Sequence, residues 1–474
     1  MNGGDRDVRS RIIRGLIVVI IGIIIWYSPV PSGVKKEAWE LLAIFVATIM
    51  GLILGPLPMG AVVIIGVMTT ALTGVLGIGQ VLSGFANNTV WLIVAAFLLG
   101  RGFLITGLGR RISYVFIRAF GRKTLGLAYA IAASDLVIAP AIPSNTARCG
   151  GILYPIVRGL THTFGSEPGP TARKLGAFLM FTELQVTVIT SAMFMTSGAM
   201  NPLLVELARK TANVNLTWIS WAYAAIVPGI LSLIIVPFAL YKIYPPEIKE
   251  TPEAAEMARA ELGKMGPMTR SEKIMFAIFL LILGLWGTSE LHHIDATIVA
   301  LMGVSAMLLT GVLRWDDVLA EKGSWDALIW FGGLVMMASG LNTLGFMKWI
   351  ASAVGSSLAG WSWLSALIAL MLVYFYIHYA FASNTAHVTA LFPAFLTVAI
   401  AANVPPYLVT LILGFFSALN GGITHYGTGP CPIYFNAGYI PLVTWLKLGF
   451  MVSVINIIIW FGVGFPWWKI IGLW

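Results

Sequence analysis

Stretches of about twenty apolar residues recur along this chain, most of them free of internal charge. Each is long enough to cross roughly 30 Å of hydrocarbon as a helix. Only helices and closed barrels satisfy every backbone polar group within lipid. Barrel strands would alternate apolar and polar residues, and these runs do not. The fold class expected is therefore an all-α polytopic membrane protein. Composition agrees: 58% of the residues are hydrophobic, 10% are charged, and the mean hydropathy is +0.88. Soluble domains carry about 25% charged residues.

Eleven spans are predicted, near 12–30, 38–54, 58–78, 86–106, 175–200, 220–243, 274–289, 294–312, 325–345, 406–430 and 446–468. Arg6, Arg9, Arg11 and Arg14 precede the first. Its length, and the lack of a small-residue cleavage site before Lys35, read as an uncleaved span rather than a signal peptide. The formal charge of +9 reflects basic loops, not a nucleic-acid surface. With the N-terminus cytoplasmic, Arg101, Arg110, Arg111, Arg118, Arg122 and Lys123 fall inside, as the positive-inside rule requires. The mixed-charge loop 244–273 falls inside too and suits a surface helix. The C-terminus then lies outside, with Trp467, Trp468 and Trp474 read as an interfacial belt. Cys149 and Cys431 read as small packed residues, with no disulfide framework or zinc spacing.

Two apolar regions, 124–160 and 361–402, are broken near their middles, at Pro140–Pro143 and at Ser383–Asn384. A re-entrant hairpin in each keeps the topology consistent; two ordinary kinked spans in each is the alternative.

The strongest motif is a duplication. Ser144-Asn145-Thr146-Ala147 returns 239 positions later as Ser383-Asn384-Thr385-Ala386. The same offset relates Gly84 to Gly323, Asn87 to Asp326 and Trp91 to Trp330. A second offset, 228, relates Thr196 to Thr424 and Pro202 to Pro430, both in glycine-interrupted stretches. An odd number of spans separates the two tetrapeptides, which inverts one relative to the other. Inverted repeats with broken helices are a secondary-transporter architecture. A single Ser-Asn-Thr would be an ordinary helix N-cap; recurrence in register asks for more.

Each triplet offers two hydroxyls, an amide and the N–H groups of a helix start, which together suit a carboxylate. Two such tips suit an anion charged at both ends. Arg148 follows the first tetrapeptide and His387 the second, again 239 apart. Ionisable residues at membrane depth are functional candidates. Arg148 could instead snorkel, or pair with an intramembrane acid such as Glu183, and His387 could be a packing histidine. Glu183 and Gln185 either line the path or neutralise Arg148.

At these residues the chain resembles the divalent anion:sodium symporter family, in its 2-oxoglutarate/malate translocator branch. The resemblance implies about eleven transmembrane helices plus two re-entrant hairpins, inverted repeats, a homodimer and an elevator motion. It divides the chain into first-repeat scaffold (1–123), first-repeat transport part (124–217), connecting and second-repeat scaffold helices (218–360) and second-repeat transport part (361–474). It carries Ser144, Asn145, Thr146, Ser383, Asn384 and Thr385 over as substrate ligands, with Thr196, Ser197, Gly198, Gly427 and Thr428 as weaker candidates. Sodium-coupled members place small neutral residues where Arg148 and His387 stand here. A tethered positive charge could replace bound Na⁺, which favours exchange of one C4/C5 dicarboxylate (malate, succinate, 2-oxoglutarate) for another. The alternative is a sodium-coupled dicarboxylate or citrate symporter. No cofactor is expected, Na⁺ entering only under that alternative. The partners expected are dicarboxylate anions and lipid, in a bacterial inner membrane. An intramembrane enzyme would need a nucleophile–base set or a metal motif, and neither Gly-x-Ser-x-Gly nor His-Glu-x-x-His occurs. An anion channel fits broken hairpins poorly.

Overall fold

The computed structural model describes residues 3–355 and 360–474. The Arg6 side chain and the residues just ahead of the 360/361 boundary lie outside the described part. The described residues form helices and their connections, with no strand among them. Nine of these helices are long and apolar enough to cross a membrane. They include Thr124–Ala141, Trp363–Ala380 and Asn384–Ala401, which are arms of the two regions expected as hairpins. Met59–Leu72, Ala296–Leu309 and Pro406–Gly422 are apolar but shorter.

The chain divides into two compact units. One comprises Met1–Val94, Pro202–Asn215 and Lys322–Gly414. Here Lys36–Leu54 packs between Gly3–Tyr27 and Met59–Leu72, and Lys322–Thr343 packs on Met59–Leu72 and Lys36–Leu54. Small residues set the spacing: a Cβ on Gly333 would meet Val63 and Val67, and one on Gly66 would meet Thr48 and Met337. Lipid offers no hydrophobic drive between helices, so close approach and dispersion hold such interfaces. Gly84 admits no side chain at all, because its Cβ would strike the Gly332 carbonyl.

The other unit comprises Ala95–Asn201, Leu216–Glu321 and Phe415–Trp474. Its axis is Gly176–Met193, every residue of which is buried. Thr124–Ile138, Trp218–Ile243 and Tyr154–Thr163 pack around it. Tryptophans close the core with their N–H groups satisfied: Trp221 Nε1 donates to Ala192 O at 2.9 Å and Trp460 Nε1 to Ser232 Oγ at 3.1 Å. Trp468 belongs with them rather than to an interfacial belt. It is fully buried, and its Nε1 donates to Ala224 O at 2.9 Å. The chain restarts as Gly464–Ile470 after Leu442–Gly462, and this short helix packs onto Trp218–Ile243.

The basic segment after residue 100 and the loop 244–273 pack together. Pro252–Met265 is a helix that buries Ala254, Ala255 and Ala258 and packs on Leu108–Phe120. Arg111 grips Glu272 through Nε at 2.6 Å and Nη2 at 3.1 Å, and Lys123 reaches Glu250 at 3.6 Å. The two loops therefore share one face of this unit.

Candidate functional site

Both tetrapeptides start a helix, and each serine caps it. Ser144 Oγ accepts from Ala147 N at 3.1 Å, and Ser383 Oγ accepts from Ala386 N at 3.4 Å. The approach to each is alike. Thr124–Ile138 leads through the 3₁₀ turn Ala139–Ala141 and extended backbone at Ile142 to Asn145. Trp363–Tyr376 leads through Ile377–Ala380 and extended Phe381 to Asn384. Proline at 140 and 143 explains the first break, because it removes N–H donors and pushes the preceding residue out of the α region. The outcome in both places is a partly exposed helix N-terminus, whose first-turn N–H groups have no carbonyl partner within the helix itself.

In the unit carrying the first motif, Asn145 Nδ2 donates to Thr428 Oγ1 at 2.9 Å. Gly429 lies directly against Thr146 Oγ1, so closely that a Cβ there would push the threonine hydroxyl aside. The glycine-rich interruption 423–430 thus seats on the motif, bringing Thr428 and Gly429 to Asn145 and Thr146. Gly427 is buried in the same segment.

The other interruption, after Gly176–Met193, is held by its own side chains. Thr196 Oγ1 donates to Pro140 O at 2.7 Å and accepts from Trp218 Nε1 at 3.0 Å. Ser197 Oγ donates to Phe194 O at 2.7 Å and Ser191 O at 2.9 Å. Gly198 continues as buried extended backbone. In this conformation the two hydroxyls face backbone carbonyls.

Arg148 is completely buried and does not pair with Glu183. Its Nε lies 2.7 Å from Asp135 Oδ1, and Asp135 is itself fully buried. The other Asp135 oxygen accepts from Thr187 at 3.1 Å and from Thr190. Asp135 comes from Thr124–Ile138, the helix that leads into the break, so the pair ties the two sides of the break together. Arg148 Nη1 donates to Ile142 O and Ser197 O, each at 2.9 Å, and Nη2 donates to Ser191 Oγ at 3.0 Å. Ile142 and Ser197 sit in the two helix breaks, where no helical N–H claims their carbonyls. After Arg148 the helix widens into a π turn, Cys149–Leu153, before resuming as Tyr154–Thr163. Such turns gather at functional positions.

In the unit carrying the second motif, His387 is fully buried and neither ring nitrogen has a hydrogen-bond partner. Its ring packs edge-on against Tyr374, with centroids 4.4 Å apart, and against His378 at 5.0 Å and Phe381 at 5.2 Å. Asn384 is buried, whereas Ser383 and Thr385 are partly exposed.

Two residues escaped sequence reasoning. Asp135, a single acid in an apolar run, carried the usual signal of an intramembrane charge. Tyr434 carried none; only the fold brings its hydroxyl within 3.2 Å of the Cys149 thiol. Among the described residues no group of three or more His, Cys, Asp and Glu side chains is placed to hold a metal ion.

Residues 9–474 match the family described as the sodium:sulfate symporter transmembrane region. The chain is 54% identical to YflS of Bacillus subtilis, a candidate malate transporter, over 97% of its own length and 96% of that protein. It is 47% identical to chloroplastic dicarboxylate transporter 1 of Arabidopsis thaliana, covering 97% and 83% respectively. Among solved structures, Neisseria gonorrhoeae MtrF, titled as one of a class of antimetabolite efflux pumps, superposes with a TM-score of 0.58 at 14% identity. The match covers 97% of this chain and 94% of MtrF, a likeness of fold alone. A family match along nearly the whole chain, with relatives about half identical end to end, means that this protein belongs to the divalent anion:sodium symporter family, whose members are membrane transporters and not enzymes.

Proposed function

We propose that the protein carries C4/C5 dicarboxylates of the malate, succinate and 2-oxoglutarate kind, exchanging one for another. The names of the relatives support the substrate class. So does the chemistry of the two capped helix starts, each able to donate several hydrogen bonds to one carboxylate.

The observation that carries the exchange reading is the position of the Arg148 guanidinium. It fills the carbonyl oxygens of Ile142 and Ser197 beside the first motif. Such helix-break carbonyls are what a coupling Na⁺ would use. A tethered cation holds them permanently, so anion binding does not wait on an ion gradient. Because Asp135 matches its charge, Arg148 acts less as free positive charge at the tip than as a fixed occupant of a cation's place. His387 occupies the corresponding place after the second motif.

A homodimer, inverted repeats, an elevator motion and a bacterial inner-membrane location with the N-terminus cytoplasmic and the C-terminus outside complete this reading. Counterflow of labelled malate in proteoliposomes tests it. Uptake that requires internal dicarboxylate and ignores Na⁺ supports exchange. Uptake into empty vesicles driven by a sodium gradient overturns it in favour of symport.

A further inference from the structure

The unit carrying the first motif buries one more acid than it can neutralise. Asp135 and Arg148 balance each other. Glu183, on the wholly buried helix Gly176–Met193, is also completely shielded. Its Oε1 faces the Cys149 thiol at 3.6 Å, and its Oε2 accepts no hydrogen bond. Cys149 Sγ in turn lies 3.2 Å from the Tyr434 hydroxyl, which is also beside Glu183.

The titratable groups facing Glu183 are therefore Asp135 from Thr124–Ile138, Cys149 from the π turn and Tyr434 from Cys431–Asn436, while the Arg148 guanidinium is engaged by Asp135. Groups on the remaining neighbours turn elsewhere. Tyr241 of Trp218–Ile243 packs on Phe178, and Arg158 of Tyr154–Thr163 pairs with Glu167. Gly176–Met193 contains no other acid or base.

A lone carboxylate sealed in this way is costly without a compensating cation. A metal cation asks for a shell of oxygens. Here a thiol and a phenol face the group, and the nearby break carbonyls are taken by Arg148. A proton needs one lone pair only. We propose that Glu183 is a proton-binding site of the transport cycle, coupled to the first Ser-Asn-Thr tip so that dicarboxylate binding and proton uptake favour each other.

The coupling has a physical route. Cys149 lies three residues beyond Thr146, and Tyr434 lies six residues beyond Thr428, in the helix that follows the segment whose Thr428 accepts from Asn145. An anion arriving at the tip adds negative charge near Glu183 and so favours its neutral form. By reciprocity, the neutral form favours the anion.

This inference rests on the dicarboxylate reading, and calorimetry separates the two. Succinate is titrated into the purified protein in two buffers of different ionisation heat, above the pH range where succinate itself titrates. The wild type is expected to give buffer-dependent heats, corresponding to uptake of a proton on binding. Its apparent affinity should weaken with rising pH, by at most about tenfold per unit, the limit for one linked proton. Glu183→Gln is expected to bind with the affinity of the acid limit, with no buffer dependence and no pH dependence. Wild-type binding with identical heats in both buffers overturns the proposal, as does a Glu183→Gln variant that keeps the wild-type dependence. Should that variant fail to fold, Tyr434→Phe serves instead: it is expected to move the pH of half-maximal proton uptake, and an unmoved value counts against the coupling. Absence of saturable succinate binding, by calorimetry and by equilibrium dialysis with labelled succinate, overturns the dicarboxylate reading itself.

Discussion

Arg148 and Asp135 meet at 2.7 Å, and the positions 239 residues further on hold His387 and Tyr374, in ring contact at 4.4 Å. The same two places behind the two motifs are thus filled differently. One holds an ion pair that pins the helices on either side of the break, the other an imidazole packed on a phenol. The two halves offer similar helix starts to an anion but unlike electrostatics beneath them.

Asp135→Asn removes the acid and leaves Arg148 charged and buried. A broken buried pair costs about 3–5 kcal/mol, so thermal unfolding in detergent should show a large loss. Adding Arg148→Gln removes the orphaned charge and should restore at least half of that stability. A single variant as stable as the wild type would mean that the pair does not hold the two helices together.

His387→Phe keeps an aromatic ring in the contact with Tyr374, His378 and Phe381. Neither imidazole nitrogen loses a hydrogen bond, so stability should change by no more than about 1.5 kcal/mol. Malate counterflow should nevertheless fall at least tenfold if the imidazole serves the second motif. Unchanged counterflow would make His387 a packing residue.

Asn145→Ala and Asn384→Ala each remove an amide from a helix start. Counterflow should be abolished in both while gel-filtration profiles stay normal. For Asn145 the loss includes its bond to Thr428, so Thr428→Val should reproduce part of the defect. Wild-type rates in either asparagine variant would withdraw the site assignment.

Glu272 supplies a pH test away from the site. Burial pushes its carboxyl up, but the hydrogen bonds from Arg111 and the Thr269 backbone outweigh this and hold it below its usual 4.5. A lowered acid stabilises the fold above its unfolded value and loses that contribution as pH falls through the folded one. Glu272→Ala should therefore cost about 2 kcal/mol at neutral pH. The gap to wild type should close as pH drops below 4.5. A gap independent of pH would rule out the ion pair as its source.

Much of this was legible in the sequence because the signals were local. Apolar run length gives helices, proline and glycine give the breaks, and a Ser-Asn-Thr repeated in register marks two helix starts. Partners were harder to read. Asp135 reaches Arg148 across a turn whose geometry no periodicity encodes, which is why Glu183 looked an equal candidate. Trp468 sits near a chain end among aromatics, as an interfacial residue would, and only the return of its short helix buries it. Tyr434 meets Cys149 from 285 positions away.

The fully enclosed helix Gly176–Met193 also has a consequence for biogenesis. Its hydropathy of 1.3 is well below the 2.2 of the next long apolar helix, Trp218–Ile243. Thr182, Glu183, Gln185, Thr187, Thr190 and Ser191 lie along it, all buried by neighbours rather than by lipid. Such a segment is a poor solo client for a translocon that sorts helices by their solubility in hydrocarbon. Its entry into the bilayer is therefore expected to be assisted, waiting until Trp218–Ile243 has emerged from the ribosome and the two can partition together.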